Sequence, residues 1–576
     1  MDAAWYAANN PFKREAPRHT VLKRTAAVAV ILGVIFVISG YMHAADTRGS
    51  AQPSAAHFAA GRGELVQPHV GRGSAAGKWQ RAHELVTAEF VRRHPQGFNC
   101  ELVRLADITL SDVFVLAVPH LSQYARPAGV TNVMGLGVGG DGAADEPLQQ
   151  PYHQLLGVSD VVLRDIVRKR GSPAVTTAYL RAGPRASLHF DPSLVRAAIV
   201  TCGGLCPGLN NIIQGLVRTL LSLYGVHGVL GVRGGYQGFR ADEAGCEPVD
   251  LTLDAVVGLQ HQGGTLLGSG RGSFDLRRTI DFLQERAINQ LYVVGGDGTH
   301  RAANEIAEEA RRLELNVAVV GIPKTIDNDI DLIDRSFGFA TAVEEAQAAI
   351  RSAQVEARCN LPNGIGIVKL MGRSSGFIAV HATLASGEVD LCLVPEVPVV
   401  LDGEHGLLCH LERVLHRKGH ALVVVAEGAG EEILGQSATV DAGGNRKLPE
   451  LGLWLKERIG THFGSAHKKV TVKYIDPSYM IRSVPANAAD AIYCLLLAQN
   501  AVHGAMAWYT AYSVGMVNNR LVYIPINALV ANSPRMMEPN GRTWERVIAV
   551  TGQPDTARGE RAKGRLGSAV FSRTVL

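Results

Sequence analysis

The sequence has no cysteine pattern typical of a zinc site, no large net charge and no basic cluster, and each absence excludes a class of protein. No C-x-x-C pair occurs among its eight scattered cysteines, and Cys202 and Cys206 have no second pair at zinc-finger spacing, so we predict free thiols in a reducing compartment. The net charge of +4 is small for 576 residues, and no basic cluster is interleaved with aromatic side chains, which argues against nucleic acid as a partner. A hydrophobic content of 47% and a charged content of 19% exclude a disordered chain. The length of 576 residues predicts two or three domains.

One long apolar run stands near the amino terminus. Residues 1–24 are polar and basic, and residues 25–45 are almost wholly apolar and about long enough to span a bilayer as a helix. Three interpretations stay open: a signal-anchor helix, the apolar core of a signal peptide, or the first half of a plastid-type address. The flexible linker predicted at 46–95 favours the address, because residues 47–80 are rich in Ala, Gly, Ser and Arg and carry one acid, Glu64.

From about residue 195 onward, strand-like and helix-like runs alternate, which predicts parallel sheets with helices on both faces. The region before it is less regular; we predict a helix at 161–169 and interpret the glycine-rich stretch 129–146 as a loop. The number of strand–helix units suffices for two Rossmann-like lobes with a cleft between them. The predicted strands lie at 197–201, 229–232, 290–294, 317–321, 364–369, 391–394, 421–426 and 470–474. The predicted helices lie at 211–223, 279–285, 301–312, 341–358, 374–384, 406–417 and 488–503.

The most acidic stretch follows the predicted strand at 317–321. Asp327, Asp329, Asp331 and Asp334 fall within eight residues, so a metal, a proton-acceptor role or a cationic pocket should offset their repulsion. About twenty-five residues upstream, a second strand runs into the G-G-D-G-T sequence at 295–299. Adjacent strands would thus present a phosphate loop and an acidic loop at the carboxyl edge of one sheet, where open α/β sheets bind ligands.

These stretches together resemble the phosphofructokinase family. The similarity continues in TCGGLCPGLN at 201–210, GSGRG at 268–272, KLMGRSSG at 369–376, AEG at 426–428 and YIDPSYMIR at 474–482. It covers about 181–554 and is strongest to the plant-type and trypanosome-type ATP-dependent group. The resemblance implies the phosphofructokinase fold, with the active site between the lobes. It also implies an amino-terminal extension at 96–190, an ATP-binding lobe at 191–340, a fructose 6-phosphate-binding lobe at 341–480, a return to the first lobe at 481–555 and a flexible tail at 556–576.

The resemblance also implies how the phosphoryl donor is bound. Gly298 leaves room for a nucleotide, whereas pyrophosphate-dependent members have aspartate at this position. Lys324, in contrast, is typical of pyrophosphate-dependent members. Plant-type ATP enzymes combine this glycine with this lysine, as this chain does, so ATP is the expected donor. Asp297 is implied as the ligand of Mg²⁺, the expected cofactor, and Asp329 as a residue that helps to hold the ion and to position the loop. The implied ATP-binding residues are Gly203, Gly204, Arg271, Gly272, Gly296, Asp297, Gly298 and Thr299.

For the acceptor, the resemblance implies Asp327 as the general base, with Thr325 and Arg373 as further catalytic residues. Two bacterial arginines that reach the 6-phosphate from a neighbouring subunit align with Gly364 and Lys473, of which only the lysine can pair with phosphate. The implied fructose 6-phosphate site comprises Thr325, Ile326, Asp327, Met371, Gly372, Arg373, Glu427, Lys473, Tyr479 and Arg482.

The implied activity is glycolytic: Mg-ATP phosphorylates D-fructose 6-phosphate at its 1-hydroxyl. The resemblance further implies an allosteric homo-oligomer, either a dimer or a tetramer, in the cytoplasm. Pyrophosphate is the alternative donor. A lipid or NAD kinase is a further alternative, since those families share the G-G-D-G loop. A non-catalytic regulatory subunit is another, since some phosphofructokinase assemblies contain one.

Overall fold

The computed structural model describes residues 113–119, 121, 155–157, 159–167, 176–240, 242–435 and 448–557. The predictions for 1–24, 25–45, 46–95 and 129–146, and for the tail from 558 onward, concern residues outside these ranges. No helix within the ranges combines the length and the apolar composition that a bilayer span requires.

Strands of the described ranges form two sheets. The larger, mixed sheet has the order β1-β3-β14-β13-β8-β7-β4-β5-β6, with β2 beside β3, and the smaller, fully parallel sheet has the order β10-β11-β9-β12. The strands are β1 (Val113–Leu116), β2 (Val161–Leu163), β3 (Thr176–Arg181), β4 (Arg196–Thr201), β5 (Gly228–Val232), β6 (Val249–Asp250), β7 (Gln290–Gly295), β8 (Ala318–Pro323), β9 (Gly364–Leu370), β10 (Leu391–Leu393), β11 (His420–Ala426), β12 (Thr471–Ile475), β13 (Tyr512–Val517) and β14 (Arg520–Pro525).

Helices cover both faces of these sheets. They are α1 (Leu209–Arg218), α2 (Leu276–Glu285), α3 (Asp297–Arg312), α4 (Phe339–Cys359), α5 (Phe377–Ser386), α6 (Leu407–Lys418), α7 (Glu431–Leu434), α8 (Leu451–Ser465), α9 (Ser478–Arg482), α10 (Ala488–Met506), α11 (Ile526–Val530) and α12 (Arg542–Thr551). A π-helical turn, Thr219–Leu223, extends α1.

The central strands are buried on both faces, which explains their continuous apolar sequences. Every residue of β7 and β8 is buried. Along β7, Tyr292 and Val294 pack into the core beneath α1 and α10, whereas Leu291 and Val293 pack with α2 and α3. This alternation fixes the register, because a slip by one residue would exchange the two faces.

After residue 195, all eight predicted strands and all seven predicted helices are present, with small shifts at their ends. The helix predicted before that point, at 161–169, is wrong. Val161–Leu163 forms β2 instead and pairs antiparallel with β3. The β-branched Val161 and Val162 favour the strand, and β3 satisfies their backbone groups.

The chain returns to the larger sheet through β13 and β14. Strand β13 runs parallel to β8, and β14 pairs antiparallel with both β13 and β3. The two strands are joined by Asn518 and Asn519, whose φ angles of 50° and 58° suit a tight hairpin turn. The carboxylate of Asp334 accepts both of their N–H groups, at 3.1 and 2.8 Å. One of the four clustered acids therefore has a structural role.

Candidate active site

The carboxyl ends of strands from both sheets meet at one cleft of about 810 Å³. Strands β4, β7 and β8 lead into the glycine-rich and acidic loops of the larger sheet. Strands β9, β11 and β12 lead into the loops of the smaller sheet. Thirteen predicted site residues line the cleft: Gly203, Gly204, Arg271, Gly296, Asp297, Thr325, Ile326, Asp327, Met371, Arg373, Glu427, Tyr479 and Arg482.

The first glycine loop follows β4 and is shaped by close contacts. Gly203 has φ +87°, and a Cβ there would stand 2.9 Å from the Nζ atom of buried Lys324. A Cβ on Gly204 would meet Arg271 Nη2 at 3.1 Å and Arg482 Nη1 at 4.0 Å. Two guanidinium groups therefore converge on this loop, where glycine leaves backbone and cations open to an anion.

The second glycine loop connects β7 to α3. Helix α3 begins at Asp297, so its free N–H groups and its positive dipole end face the cleft, as at many phosphate sites. The ring of buried His300 supports the loop from behind: its Nδ1 lies 3.1 Å from Gly296 O and its Nε2 lies 3.0 Å from Ser513 Oγ. Burial lowers the pKa of His300 to about 4, so the ring is neutral at pH 7.

The acidic loop after β8 is held in place by its own polar groups. The Lys324 N–H donates to Gly295 O over 2.9 Å, joining the two loops. Thr325 Oγ1 donates to Asp329 Oδ1 over 2.7 Å and accepts the Asp327 N–H at 3.2 Å. The Arg535 guanidinium donates to Asn328 O at 3.1 Å and to Ile333 O at 3.0 Å. These bonds leave Asp327 facing the cleft.

Asp327 carries the most perturbed carboxyl group of the cleft. Its Oδ1 atom is buried and has no hydrogen-bond partner. Burial raises its pKa to about 8, the Asp329 and Glu427 carboxylates add to the rise, and Arg373 and Lys324 oppose it. A buried acceptor without a partner, with a pKa near neutrality, is suited to take a proton from a bound hydroxyl.

The donor set fits Mg²⁺ better than a zinc-like metal. The described residues contain no group of three His, Cys, Asp or Glu side chains arranged to hold a metal ion. Instead, the carboxylates Asp297 and Asp329 line the same cleft. Burial raises the pKa of Asp297, and the Asp329 charge raises it further. Mg²⁺ is usually held by one or two carboxylates together with substrate phosphates, so this pair fits it.

The loops after β9 and β11 pack together at the other end of the cleft. Gly372 adopts φ +129°, which favours glycine, and its carbonyl accepts the Gly428 N–H at 3.1 Å. A Cβ on Gly428 would overlap the carbonyl oxygen of Arg373. Burial raises the pKa of Glu427, while Arg373 and Lys369 oppose the rise.

Five predicted residues do not line the cleft: Gly272, Gly298, Thr299, Gly372 and Lys473. Gly298 is exposed at the second position of α3, and a Cβ there would meet nothing within 4 Å. Lys473 departs furthest from expectation. Its side chain is 44% exposed, and Nζ lies 3.7 Å from Glu356 Oε2 on α4. Within its own chain, therefore, Lys473 does not contribute to this cleft.

The cleft also contains residues that the sequence-based site omitted. Two of them, Lys324 and Asp329, bear on the choice of donor and on Mg²⁺ in the sequence, but they are not among the implied binding residues. The others that line it are Leu205, Ser269, Gly270, Ile330, Lys369, Asp476 and Ser478. Lys369 opens the motif at 369–376, and Asp476 and Ser478 lie inside the motif at 474–482. Position within a motif was therefore the signal available for these three.

The chain is similar to known proteins over most of its length. The family model described as Phosphofructokinase matches residues 196–505. ATP-dependent 6-phosphofructokinase 7 of Arabidopsis thaliana is 51% identical over 392 residues, which are 68% of this chain and 79% of that protein. ATP-dependent 6-phosphofructokinase 4, chloroplastic, of the same plant is 49% identical over 410 residues, or 70% of this chain and 76% of that protein.

A solved structure, the pyrophosphate-dependent phosphofructokinase from Marinobacter aquaeolei, superposes with a TM-score of 0.52 at 20% identity. The match covers 63% of this chain and 91% of that chain. At this identity the likeness concerns the fold alone.

Proposed function

Because the chain belongs to the phosphofructokinase family, we propose that it transfers the terminal phosphoryl group of ATP to the 1-hydroxyl of fructose 6-phosphate. The products are fructose 1,6-bisphosphate and ADP. One observation carries the proposal: the cleft joins two glycine loops suited to phosphates with Asp327, whose buried Oδ1 atom has no hydrogen-bond partner, and with the cations Arg373 and Arg482. The relatives at about 50% identity, which are named as ATP-dependent enzymes, support the same donor.

Asp327 is the general base of the proposed reaction. As the 1-oxygen of the sugar forms its bond to the γ-phosphorus, the hydroxyl proton passes to the Asp327 carboxylate. The bond between the γ-phosphorus and the β–γ bridging oxygen breaks, and ADP leaves. A carboxylate with a raised pKa holds the proton well after the transfer, which favours this role. The Thr325 hydroxyl donates a hydrogen bond to Asp329, so Thr325 acts by orienting the acidic loop after β8.

Charge on the transferring group is met by cations from both ends of the cleft. Arg271 approaches the Gly204 loop, and Arg373 follows β9 on the opposite side. Each guanidinium presents several donors in one plane, which matches phosphoryl oxygens. Mg²⁺ would be held by Asp297 and Asp329 and would supply further positive charge to the phosphates of the donor.

The sugar phosphate is assigned to the end formed by the smaller sheet. Met371 and Ile326 give this end apolar wall, Glu427 accepts from sugar hydroxyls, and Arg482 binds the 6-phosphate. Tyr479 contributes an aromatic face beside Arg482, whose guanidinium carbon lies 5.0 Å from the Tyr479 ring centroid. This end carries more cations than a neutral sugar would require, which favours a phosphorylated acceptor.

Pyrophosphate is the second candidate donor, and Lys324 is the residue that favours it. Its burial at the donor loops puts a cation close to where a compact donor would sit. The open space around Gly298 favours the bulkier nucleotide instead.

A parallel assay distinguishes the two donors. The full-length protein is incubated with fructose 6-phosphate and Mg²⁺, with ATP or pyrophosphate, and fructose 1,6-bisphosphate is quantified over time. We expect turnover with ATP and little with pyrophosphate, and loss of turnover in Asp327→Ser. Faster turnover with pyrophosphate would reverse the choice of donor. Absence of product with either donor would refute the proposed function.

Residues 25–45, with the acid-poor stretch that follows, are proposed as an organelle address removed after delivery. Their composition supports this, as does the word chloroplastic in the name of one relative. The cytoplasm and a permanent membrane anchor are the alternatives. Carbonate extraction of native membranes, with mass spectrometry of the mature amino terminus, separates them. Full-length protein retained in the pellet would favour the anchor.

A homo-oligomeric assembly, dimer or tetramer, is likewise proposed from family membership. Sedimentation of the purified protein tests it, and a monomer at assay concentration would contradict it.

A further inference from the structure

Lys369 and Asp476 form an ion pair in the wall of the cleft that the proposed mechanism does not use. Lys369 Nζ lies 2.6 Å from Asp476 Oδ2 and 3.7 Å from Glu450 Oε2, and the lysine side chain is only 13% exposed. Lys369 stands near the end of β9, two residues before Met371. Asp476 follows β12, the parallel neighbour of β9, in which Ile475 lies opposite Val368. The pair therefore ties together the ends of two adjacent strands.

The second oxygen of Asp476 organises the turn into helix α9. Asp476 Oδ1 accepts the Ser478 N–H at 3.1 Å and the Ser478 hydroxyl at 2.6 Å. Burial alone would raise the pKa of Asp476, but Lys369 and Ser478 hold it below its ordinary value, so the carboxylate is charged at neutral pH. One carboxylate thus connects the end of β9 to the first residue of α9.

Arg482 depends on α9 for its position. Its Nε atom is buried without a hydrogen-bond partner, and its guanidinium lies over the Tyr479 ring of the same helix. Its Nη1 atom reaches within 4.0 Å of where a Cβ on Gly204 would stand, on the opposite wall of the cleft. A change in the orientation of α9 would therefore move this cation relative to the Arg373 loop.

We propose that Lys369 and Asp476 are positioning residues for the sugar-phosphate end of the cleft. Their ion pair holds α9 at a fixed distance from the loop after β9 and so sets the separation of Arg482 from Arg373. Only at that separation does the acceptor reach Arg482 with its 6-phosphate while its reacting end lies at Arg373. This inference rests on the proposed function, because it assigns Arg482 to the acceptor phosphate.

Steady-state kinetics of full-length Lys369→Met, Asp476→Asn and the double variant test the pair. Each single variant raises the KM for fructose 6-phosphate about tenfold, while the KM for ATP stays within about twofold. The double variant resembles the single variants, because both substitutions break one interaction. Lys369→Arg restores most of the affinity. Lys468→Met is the matched control, since Lys468 pairs with Glu412 at 3.4 Å on the exposed surface of the same lobe; it leaves both KM values unchanged.

Hydrogen exchange of the peptide that covers 476–483 provides a readout independent of turnover. Lys369→Met and Asp476→Asn speed exchange in this peptide, and Lys468→Met does not. If the wild type forms no product with either donor, the proposed function fails, while this measurement still decides on the pair. Unchanged exchange would overturn the inference.

Additive effects in the double variant would also overturn it. So would a higher affinity in Asp476→Asn combined with a loss in Lys369→Met. That pattern would mean that Lys369 binds the phosphate directly and that Asp476 competes for it.

Discussion

Lys324 Nζ donates a hydrogen bond to Gly204 O over 2.7 Å, so this lysine supports the backbone of the first glycine loop. Its own N–H bonds to Gly295 O, which ties the same residue to the second loop. Burial lowers the pKa of Lys324, so the charge of its ammonium group is costly and needs the fixed acceptor Gly204 O. A lysine engaged with the loop backbone is compatible with ATP as the donor. It explains how Lys324 and Gly298 occur together.

Gly298→Asp is expected to weaken the use of ATP. A Cβ at this position meets no neighbour within 4 Å, so the backbone has room for a side chain. The aspartate places a negative charge on the first turn of α3, beside the proposed phosphate site. We expect the KM for ATP to rise about tenfold or more, since like charges at a binding site cost on the order of several kcal/mol. Gly460→Asp, at an exposed helical position that also has no close neighbour, is the control. Unchanged ATP kinetics in Gly298→Asp would place the donor elsewhere.

Asp327→Ser is expected to lower kcat at least about a hundredfold, the usual cost of losing a general base. Binding of fructose 6-phosphate, measured by calorimetry, should change little, because the cations of the sugar end remain. Asp331→Ser is the matched control: Asp331 belongs to the same acidic stretch, but it does not line the cleft. A kcat within a few-fold of wild type in Asp327→Ser would exclude this residue as the base.

Residues that lie in local motifs were predictable from the sequence. Asp327 and Gly296 follow buried strands of the same parallel sheet, and strand ends that share an edge bring their loops together. The pairing of Lys369 with Asp476 was not predictable in this way. It depends on β12 lying beside β9, although about one hundred residues separate them in the sequence, and chain order does not reveal that register.

The direction of a side chain was the second property that the sequence did not reveal. Successive residues of a strand point to opposite faces, so family position alone placed Lys473 in the site although its side chain lies against α4.

The hairpin of β13 and β14 had a usable signal: Asn518 and Asn519 stand between two apolar runs, a pattern typical of a tight turn. The resemblance alone predicts only that this region returns to the first lobe.

The pH dependence of kcat/KM for fructose 6-phosphate should report on Asp327. In the free protein its pKa is raised from the ordinary 3.8 to about 8. The base must be ionised, so kcat/KM is low below this pKa and rises as the pH passes through it. Asp329→Asn removes a charge that contributes to the rise, so the ascending limb should move to lower pH. Asp331→Asn should leave it in place. A limb near the ordinary aspartate value in the wild type would contradict a buried base.

Gly428→Ala should damage the sugar end selectively. Gly428 does not have a positive φ, so alanine can adopt its backbone conformation, and the effect is purely steric. The added methyl group would overlap the Arg373 carbonyl oxygen, and the Arg373 loop must shift to relieve it. Overpacking of this kind costs roughly 1–3 kcal/mol. We expect a higher KM for fructose 6-phosphate, a lower kcat and a nearly unchanged KM for ATP.

Gly460→Ala provides the matched control for this substitution. Gly460 lies exposed in α8 with open space around it, so alanine there should stabilise the helix by roughly 0.5–1 kcal/mol without altering the kinetics. Thermal unfolding of both variants separates a general loss of stability from a displaced Arg373. If Gly428→Ala raised the KM values for ATP and fructose 6-phosphate equally, the strain would not be confined to the sugar end. The assignment of Arg373 to fructose 6-phosphate would then fail.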